Sequence, residues 1–329
     1  MNRTIFFNNK PKIIATSSIA GPKESQGCIS DTIEKTLKCD MFGEKSFEKA
    51  ESKMMFTVID KAIKNANKKQ EDIDVVIAGD LLNQIIATNY ALRNFKTGFL
   101  GVYNACATFS ESLILGATYI DGKYLKNIVC ATSSHFSSAE RQYRYPLELG
   151  CTRPPQSQWT VTGAGACVLS DASSGIGISS ATIGRVVDFG VTDANNMGAA
   201  MAPAASETIE RHFKDLNINP NYYDLIVTGD LGTLGTRILK DLLWEKGYDI
   251  ENQHIDCGEL VYNICEKEYQ GGSGAGCSSL VFCSYLYKQL LQKKLNKILL
   301  VSTGALLSSL SSQQGESIPG IAHAVGIES

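Results

Sequence analysis

The sequence of 329 residues has only four histidines and two tryptophans, and none of its ten cysteines forms a Cys-x-x-Cys pair. Structural zinc sites use Cys and His ligands at short spacings, so this scarcity argues against a metal site. The formal net charge of −3 leaves no basic surface of the kind that binds nucleic acid. No apolar run reaches the length of a membrane-spanning helix, and the first residues lack the apolar stretch of a signal peptide. We therefore expect a soluble, cytoplasmic-type protein that has no metal or cofactor and meets membranes only peripherally.

Apolar residues, in contrast, are plentiful. The sequence is 43% hydrophobic and 20% charged, which is typical of a globular protein with a large core. The cysteines lie mostly within apolar runs and not at the spacings of a disulfide framework. We interpret them as reduced thiols.

Hydrophobic periodicity divides the chain into alternating strands and helices. Strands are predicted at 11–20, 73–80, 127–134 and 158–170, the last bent at a glycine; helices are predicted at 47–68 and 81–92. Residues 21–50 form a long polar stretch, and a loop of this length is usually functional or mobile.

Several segments recur at constant offsets. Residues 74–81 resemble residues 224–231, 150 positions later. Cys106 and the segment 126–133 recur 171 positions later as Cys277 and 297–304. Constant offsets across several elements predict two similar β-α-β-α-β halves, 1–172 and 173–329, packed as one α/β body.

Cys106 stands between a strand-like approach and an apolar helix, within the small-residue stretch 101–110. Backbone N–H groups at a helix start favour negative charge, so Ala107 and Thr108 are candidate anion ligands. The same position suits an acyl-transfer nucleophile. The alternative is a buried structural cysteine beside a tight turn.

A duplicated α/β body with a cysteine at this place resembles the thiolase and ketoacyl-synthase superfamily. The resemblance implies a thiolase-like fold with five layers, α-β-α-β-α, and commonly a homodimer formed by the first-half sheets. Within the superfamily, the sequence most resembles the stage V sporulation protein AD family of spore-forming bacteria. Five segments carry this resemblance: 78–84, 131–135, 139–146, 159–163 and 314–325. That family resemblance implies binding of dipicolinic acid, free or as its calcium chelate. It also implies work with the other SpoVA proteins in moving the compound across the forespore or spore inner membrane.

Superfamily enzymes pair the cysteine with His or Asn side chains from the second half. The matching positions hold Gly229 and Asp230 after one strand, and Tyr269 and Gln270 in a glycine-rich turn. A thiol without an adjacent base is a poor nucleophile, so the resemblance implies a non-catalytic binding protein. The alternative is an acyltransferase or thioester hydrolase that uses Cys106.

Dipicolinate is a flat ring with two carboxylates, so its site needs donors aimed at each carboxylate. We expect the amides of Ala107 and Thr108 to hold one, and His135, Arg141 or Arg144 to hold the other. Oxygen ligands for an accompanying calcium ion come from Asp80 and Glu140.

The other candidates have alternative readings. Asp80 and Asp230 form a duplicated pair, for which a helix N-cap is the structural alternative. Of the remaining histidines, His323 is interpreted as solvated or capping, and His212 and His254 as structural residues in helical or loop surface positions.

Overall fold

The computed structural model describes residues 2–144, 146–150, 152–262 and 269–329. Cys151 and Cys265, two of the ten cysteines interpreted above as reduced thiols, lie outside the described residues, as does Tyr145 of the segment 139–146. The strands are β1 (Thr4–Phe6), β2 (Lys12–Ala20), β3 (Lys35–Thr36), β4 (Val75–Gly79), β5 (Gly98–Gly101), β6 (Asn127–Ser134), β7 (Trp159–Thr160), β8 (Gly163–Ser170), β9 (Ile176–Thr182), β10 (Leu225–Thr228), β11 (His254–Asp256), β12 (Gly272–Ser273), β13 (Lys297–Ala305) and β14 (Gly320–Glu328). The α-helices are α1 (Phe47–Asn65), α2 (Ile86–Leu92), α3 (Thr108–Asp121), α4 (Phe136–Tyr143), α5 (Met197–Leu216), α6 (Gly232–Trp244), α7 (Cys257–Val261), α8 (Ala275–Val281), α9 (Tyr287–Leu291) and α10 (Ser309–Gln313).

The two halves repeat one strand order. The first half runs β5-β4-β6-β8-β2 across its sheet, and the second runs β11-β10-β13-β14-β9. Parallel and antiparallel pairings fall at the same places in both. The sheets join where β2 meets β9, through Lys12 opposite Gly177 and Ile13 opposite Ile176. The duplicated fold is thus confirmed, and the predicted boundary at 172/173 falls between β8 and β9.

Helices separate and cover the two sheets. α1 packs on β2, β6 and β8, and α5 packs on β13 and β14 beside α6. Between the sheets, α3 contacts β4 and β6 on one side and β13 and β14 on the other, and it touches α8. A helix buried on both sides needs small or apolar side chains around most of its surface, and α3 buries nine of its fourteen residues, among them Phe109, Leu113 and Ile114. This order of layers confirms the α-β-α-β-α prediction.

The short ladder between β7 and β12 also joins the halves. It is parallel, with Trp159 opposite Gly272 and Thr160 opposite Ser273. The single bent strand predicted at 158–170 is therefore two strands, because the chain turns at 161–162 so that β7 can pair across the halves.

The helix predicted at 81–92 was wrong at its start, since α2 begins only at Ile86. Gln84 and Ile85 have positive φ angles of 54° and 47°, which a helix does not allow. Asp80 stabilises this turn by accepting hydrogen bonds from the N–H of Leu82 at 2.8 Å and of Thr88 at 2.7 Å. The polar stretch 21–50 contains β3 and two single-turn helices, at Glu24–Gln26 and Ser30–Thr32.

Among the described cysteines the structure has no disulfide bond, and Cys28 and Cys39 are exposed. Within the described residues, the search for helices long and apolar enough to cross a membrane found none.

Candidate functional site

Cys106 lies in a tight turn between β5 and α3. Ala105 adopts a positive φ of 49°, which is uncommon for a residue with a side chain. The Thr108 hydroxyl closes the turn by accepting from the Asn104 N–H at 2.9 Å and donating to the Ala105 carbonyl at 2.6 Å. Gly304 on β13 permits this close packing, because a Cβ there would lie 2.6 Å from the Asn104 carbonyl oxygen.

The amides predicted to bind a carboxylate are used inside this turn. The Ala107 N–H donates to the Asn104 carbonyl at 3.0 Å, and the Thr108 N–H donates to the Ala105 carbonyl at 3.4 Å. Their hydrogens therefore serve the chain itself, which is one ordinary way to satisfy a helix start.

The second half supplies the polar neighbours of the Cys106 thiol. The carboxylate of Asp230, which follows β10, interacts electrostatically with the thiol, as do the Gly274 N–H and the Ser273 hydroxyl. Asp230 accepts from the Gly274 N–H at 3.0 Å, the Ser273 hydroxyl at 3.2 Å and the Thr303 hydroxyl at 2.7 Å. These three donors therefore stabilise the negatively charged form of Asp230.

The electrostatics keep this thiol protonated. Burial raises the pKa of the Cys106 thiol well above its usual value, and the neighbouring Asp230 charge adds to the rise. Burial also raises the pKa of Asp230, although its hydrogen bonds from Gly274 and Thr303 oppose the rise. A protonated thiol beside a carboxylate is a hydrogen-bond donor and a weak nucleophile.

A small cavity of ≈ 40 Å³ adjoins Cys106. Its wall includes Tyr103, Tyr143, Arg144 and Met197. The Tyr103 and Tyr143 hydroxyls are 3.0 Å apart, and the Tyr143 hydroxyl donates to the Leu81 carbonyl. Both tyrosines also border an outer groove of ≈ 640 Å³, so they separate the cavity from the surface.

Arg144 supplies positive charge to the cavity wall. Its guanidinium lies 3.1 Å from the Glu140 carboxylate, and the two side chains are only 5% and 3% exposed. Glu140 also pairs with Arg153 and accepts from the Thr160 hydroxyl at 2.8 Å. Two buried guanidinium groups thus surround one carboxylate. Glu140, predicted as a calcium ligand, is already engaged by these partners.

Three other predicted ligand residues lie outside the cavity wall. His135 caps α4: its Nδ1 accepts from the Ser137 N–H at 3.2 Å, and its Nε2 lies 3.0 Å from the Asp40 carbonyl. Asp80 binds backbone amides near α2, as described above, which is the capping alternative for this residue. Arg141 is a surface residue with a side chain 45% exposed, paired with Glu48. Of the predicted side chains, the structure brings Cys106, Glu140 and Arg144 together at this cavity. It does not bring His135, Asp80 or Arg141 there.

The histidines are engaged elsewhere. His323 lies within β14, where its Nδ1 accepts from the Gly184 N–H at 3.0 Å and its Nε2 lies 3.2 Å from the Asn104 amide. Burial lowers the pKa of His323 to about 4. His212 and His254 are buried, contrary to the predicted surface positions, at hydrogen-bond distance from Thr182 and Thr228. In the part of the chain that the structure describes, no hydrogen bond joins an imidazole to the Cys106 thiol.

Sequence reasoning missed Tyr103, Tyr143 and Arg153 at this site. Arg153 comes nine positions after Arg144 in an irregular segment, where no periodicity indicates its direction. For Asp230 the sequence analysis offered a helix N-cap. The available signal for a place near Cys106 was that Asp230 matches a position where superfamily enzymes carry a partner of the cysteine. A search of the described residues for clusters of three or more metal-ligating side chains found none.

Comparisons with known proteins agree with this architecture. The family described as "Stage V sporulation protein AD (SpoVAD)" matches residues 1–328. A curated relative, stage V sporulation protein AD of Bacillus subtilis (strain 168), is 44% identical over 326 residues, covering 99% of this chain and 96% of the relative.

Solved structures share the fold at much lower identity. The 3-oxoacyl-[acyl-carrier-protein] synthase III of Aquifex aeolicus VF5 is 14% identical with a TM-score of 0.58, over 97% of this chain and 100% of that one. OleA of Xanthomonas campestris is 13% identical with a TM-score of 0.61, over 99% of this chain and 98% of that one. These two likenesses concern the fold alone. The family match and the identity to the Bacillus protein together show that the chain belongs to the stage V sporulation protein AD family, with a thiolase-like fold.

Proposed function

We propose that this protein binds dipicolinic acid, free or as its calcium chelate, and does not transform it. In this proposal it serves the other SpoVA proteins, attached peripherally to the forespore or spore inner membrane, when the compound enters or leaves the spore. Membership in a sporulation family supports the part of the proposal that concerns the spore. The chemistry of the cavity supports the ligand.

The observation that carries the proposal is a buried arginine and two tyrosines in the wall of the Cys106 cavity. A guanidinium has five N–H donors and suits a carboxylate in fork geometry. Tyrosine rings pack well against a flat aromatic ring. The Cys106 thiol, held protonated, adds no negative charge to the wall that a dicarboxylate must approach.

The cavity must enlarge to admit this ligand. Its ≈ 40 Å³ has room for water, whereas ligand pockets usually measure about 300–1,000 Å³. Tyr103 is 46% exposed and separates the cavity from the outer groove of ≈ 640 Å³. We therefore expect ligand entry to displace Tyr103 and merge the two spaces.

The absence of turnover in this proposal rests on the surroundings of the thiol. Acyl transfer by cysteine needs a base that removes the thiol proton and donors that stabilise the oxyanion. Here the thiol faces a carboxylate, and a second negative charge beside Asp230 is unfavourable. Incubation with acyl-CoA should therefore leave the mass of the Cys106 peptide unchanged, and a stoichiometric acyl adduct would contradict this part of the proposal.

Calorimetric titration with dipicolinate, with and without calcium, tests the binding. We expect saturable binding by the wild type and a loss of about tenfold or more in affinity for Arg144→Gln, because a charge-assisted pair is removed. Arg141→Gln is the matched control, since Arg141 lies one turn away on the surface. The absence of saturable heat in the wild type, or equal losses in both variants, would refute the proposed site.

A further inference from the structure

The end of the molecule opposite the cavity carries a group of lysines. Cys106 and Asp230 follow β5 and β10, so the cavity lies at the carboxyl ends of these strands. The turn 122–126 after α3 and the turn 292–296 after α9 instead lead into the amino ends of β6 and β13. Seven lysines lie on these turns, at the start of β13 and just before or in β2, and we call them the lysine face: Lys10, Lys12, Lys123, Lys126, Lys293, Lys294 and Lys297.

One row of cross-strand partners places both turns at the same edge of the sheets. Each member lies opposite the next on a neighbouring strand, in the order Asn127, Ser170, Lys12, Gly177, Glu328 and Lys297. Because neighbouring strands are about 4.8 Å apart, the row spans about 24 Å along the sheets. The Asn9 N–H also donates to Asp121 at the end of α3, at 2.7 Å, and Lys10 pairs with Glu328 at 3.1 Å. The segment 9–12 therefore connects the two turns.

The carboxylates at this edge mostly serve other partners. Asp74 accepts from the Lys126 N–H at 2.7 Å, and its counterpart Asp224 accepts from the Lys297 N–H at 3.0 Å, so both orient the backbone of a turn. Asp171 is exposed beside them. Among the described residues, the ion pairs found do not include four exposed lysines of the turns: Lys123, Lys126, Lys293 and Lys294.

Three lysines of this face occupy unfavourable backbone positions. Lys10, Lys123 and Lys293 have positive φ angles of 43°, 60° and 54°. Glycine or asparagine usually takes this conformation after a helix, as Asn67 and Asn217 do after α1 and α5. The two halves thus place a lysine at the same strained position after each central helix. Strain of this kind is typical of functional positions.

We propose that the lysine face docks the protein on a membrane surface rich in anionic lipid headgroups. The inference rests on the peripheral attachment proposed above and does not depend on the ligand of the cavity. Clusters of lysines are attracted to such surfaces. The chain as a whole has a net charge of −3, so the attraction must come from this local surface and must orient the protein. Docking in this way leaves the cavity on the side away from the membrane.

Two features favour lipid over nucleic acid as the partner. The segments 10–12, 122–126 and 292–297 contain no arginine, which is the usual residue for forked contacts with nucleic-acid phosphates. The face also carries exposed apolar surface, with Tyr124 78% exposed on the first turn and Leu291 54% exposed beside the second. Tyrosine and lysine are both well suited to the headgroup region of a bilayer.

Cosedimentation with lipid vesicles tests the proposal. We expect the wild type to bind vesicles that contain equal amounts of phosphatidylglycerol and phosphatidylcholine, to bind phosphatidylcholine alone much less, and to dissociate as salt is added. Replacing the four turn lysines by glutamine should weaken binding to the mixed vesicles about tenfold or more. Replacing the same four by arginine should preserve binding, because the charge is retained. The variant combines Lys123→Gln, Lys126→Gln, Lys293→Gln and Lys294→Gln.

The matched control makes the same change of charge at four exposed lysines of the segment 35–49: Lys35→Gln, Lys38→Gln, Lys45→Gln and Lys49→Gln. It should bind nearly as well as the wild type. Equal losses in the two glutamine variants, a wild type that binds neither kind of vesicle or both equally, or tighter binding to duplex DNA would overturn the inference. Sedimentation with spore membranes but not with lipid vesicles would also overturn it, while leaving attachment through a protein partner. The dipicolinate titration is a separate measurement, so its failure would not affect this result.

Discussion

Glu140 is the residue on which the positive side of the cavity depends. It is 3% exposed and pairs with both Arg144 and Arg153, while its neighbour on the same helix, Arg141, pairs with Glu48 at the surface. The two ion pairs share a helix and differ in burial. They therefore allow the energetics of a buried and an exposed pair to be compared within one protein.

Glu140→Gln should destabilise the protein strongly, by about 3–5 kcal/mol, because it leaves buried guanidinium charge without a counterion. Glu48→Gln should cost about 0–1 kcal/mol, as expected for an exposed pair. Denaturant unfolding of both variants measures the difference. Similar small losses in the two variants would show that water reaches Arg144 and Arg153.

Individual site residues were predictable only where local sequence signals determine their backbone position. Cys106 followed from its place before a helix, and Arg144 from a charged segment after β6. His135 has the right residue type, but its backbone position makes it the cap of α4, and capping uses its Nδ1. Asp230 and Arg153 reach the site through contacts between distant segments, which periodicity along one segment does not reveal.

At the scale of elements, strand β5 has an unpaired edge. Among the described strands it pairs with β4 alone, and Leu100 on it is 39% exposed. An edge strand presents free N–H and C=O groups that favour pairing with another strand. Together with the superfamily resemblance, this edge supports our proposal that the protein forms a homodimer through β5.

Leu100→Lys should weaken the homodimer, because it places a charge in an interface that would otherwise be apolar. Light scattering coupled to size exclusion should then give the monomer mass over a concentration range where the wild type is dimeric. Leu291→Lys is the control, since Leu291 is 54% exposed at the end of α9. A monomeric wild type would contradict the proposal.

Elements with a clear hydrophobic period were predicted well. α1 buries Met54, Met55, Val58 and Ile59 at helical spacing, and β4 is buried throughout. The start of α2 was not predictable in this way, because Asp80 and two positive φ angles determine it. The division between β7 and β8 depends on pairing with β12, more than 100 positions away.

For the whole molecule, buried histidines couple stability to pH. Burial lowers the pKa of His212 from 6.5 to about 4. The unfolded chain therefore binds a proton that the folded protein excludes between these values. This contribution to stability is complete above pH 6.5 and is lost as the pH falls toward 4.

His212→Gln should be less stable than the wild type at pH 7, since His212 lies 2.7 Å from both the Thr182 and the Tyr223 hydroxyl. Glutamine does not titrate, so this deficit should shrink by about 1.4 kcal/mol per pH unit as the pH falls through the window. Denaturant unfolding at several pH values measures the trend. A deficit that stays constant would show that His212 is protonated normally in the folded protein.

The β7–β12 ladder has a consequence for selectivity. Thr160 on β7 contacts Glu140, and Ser273, directly opposite on β12, contacts Asp230. The backbone ladder thus sets the spacing between Thr160 and Ser273, whose side chains contact the carboxylates beside Arg144 and Cys106. A fixed spacing of this kind should make the protein discriminate among positional isomers of an aromatic diacid. The isomers differ in the angle between their acid groups, even when their charge and ring area are equal.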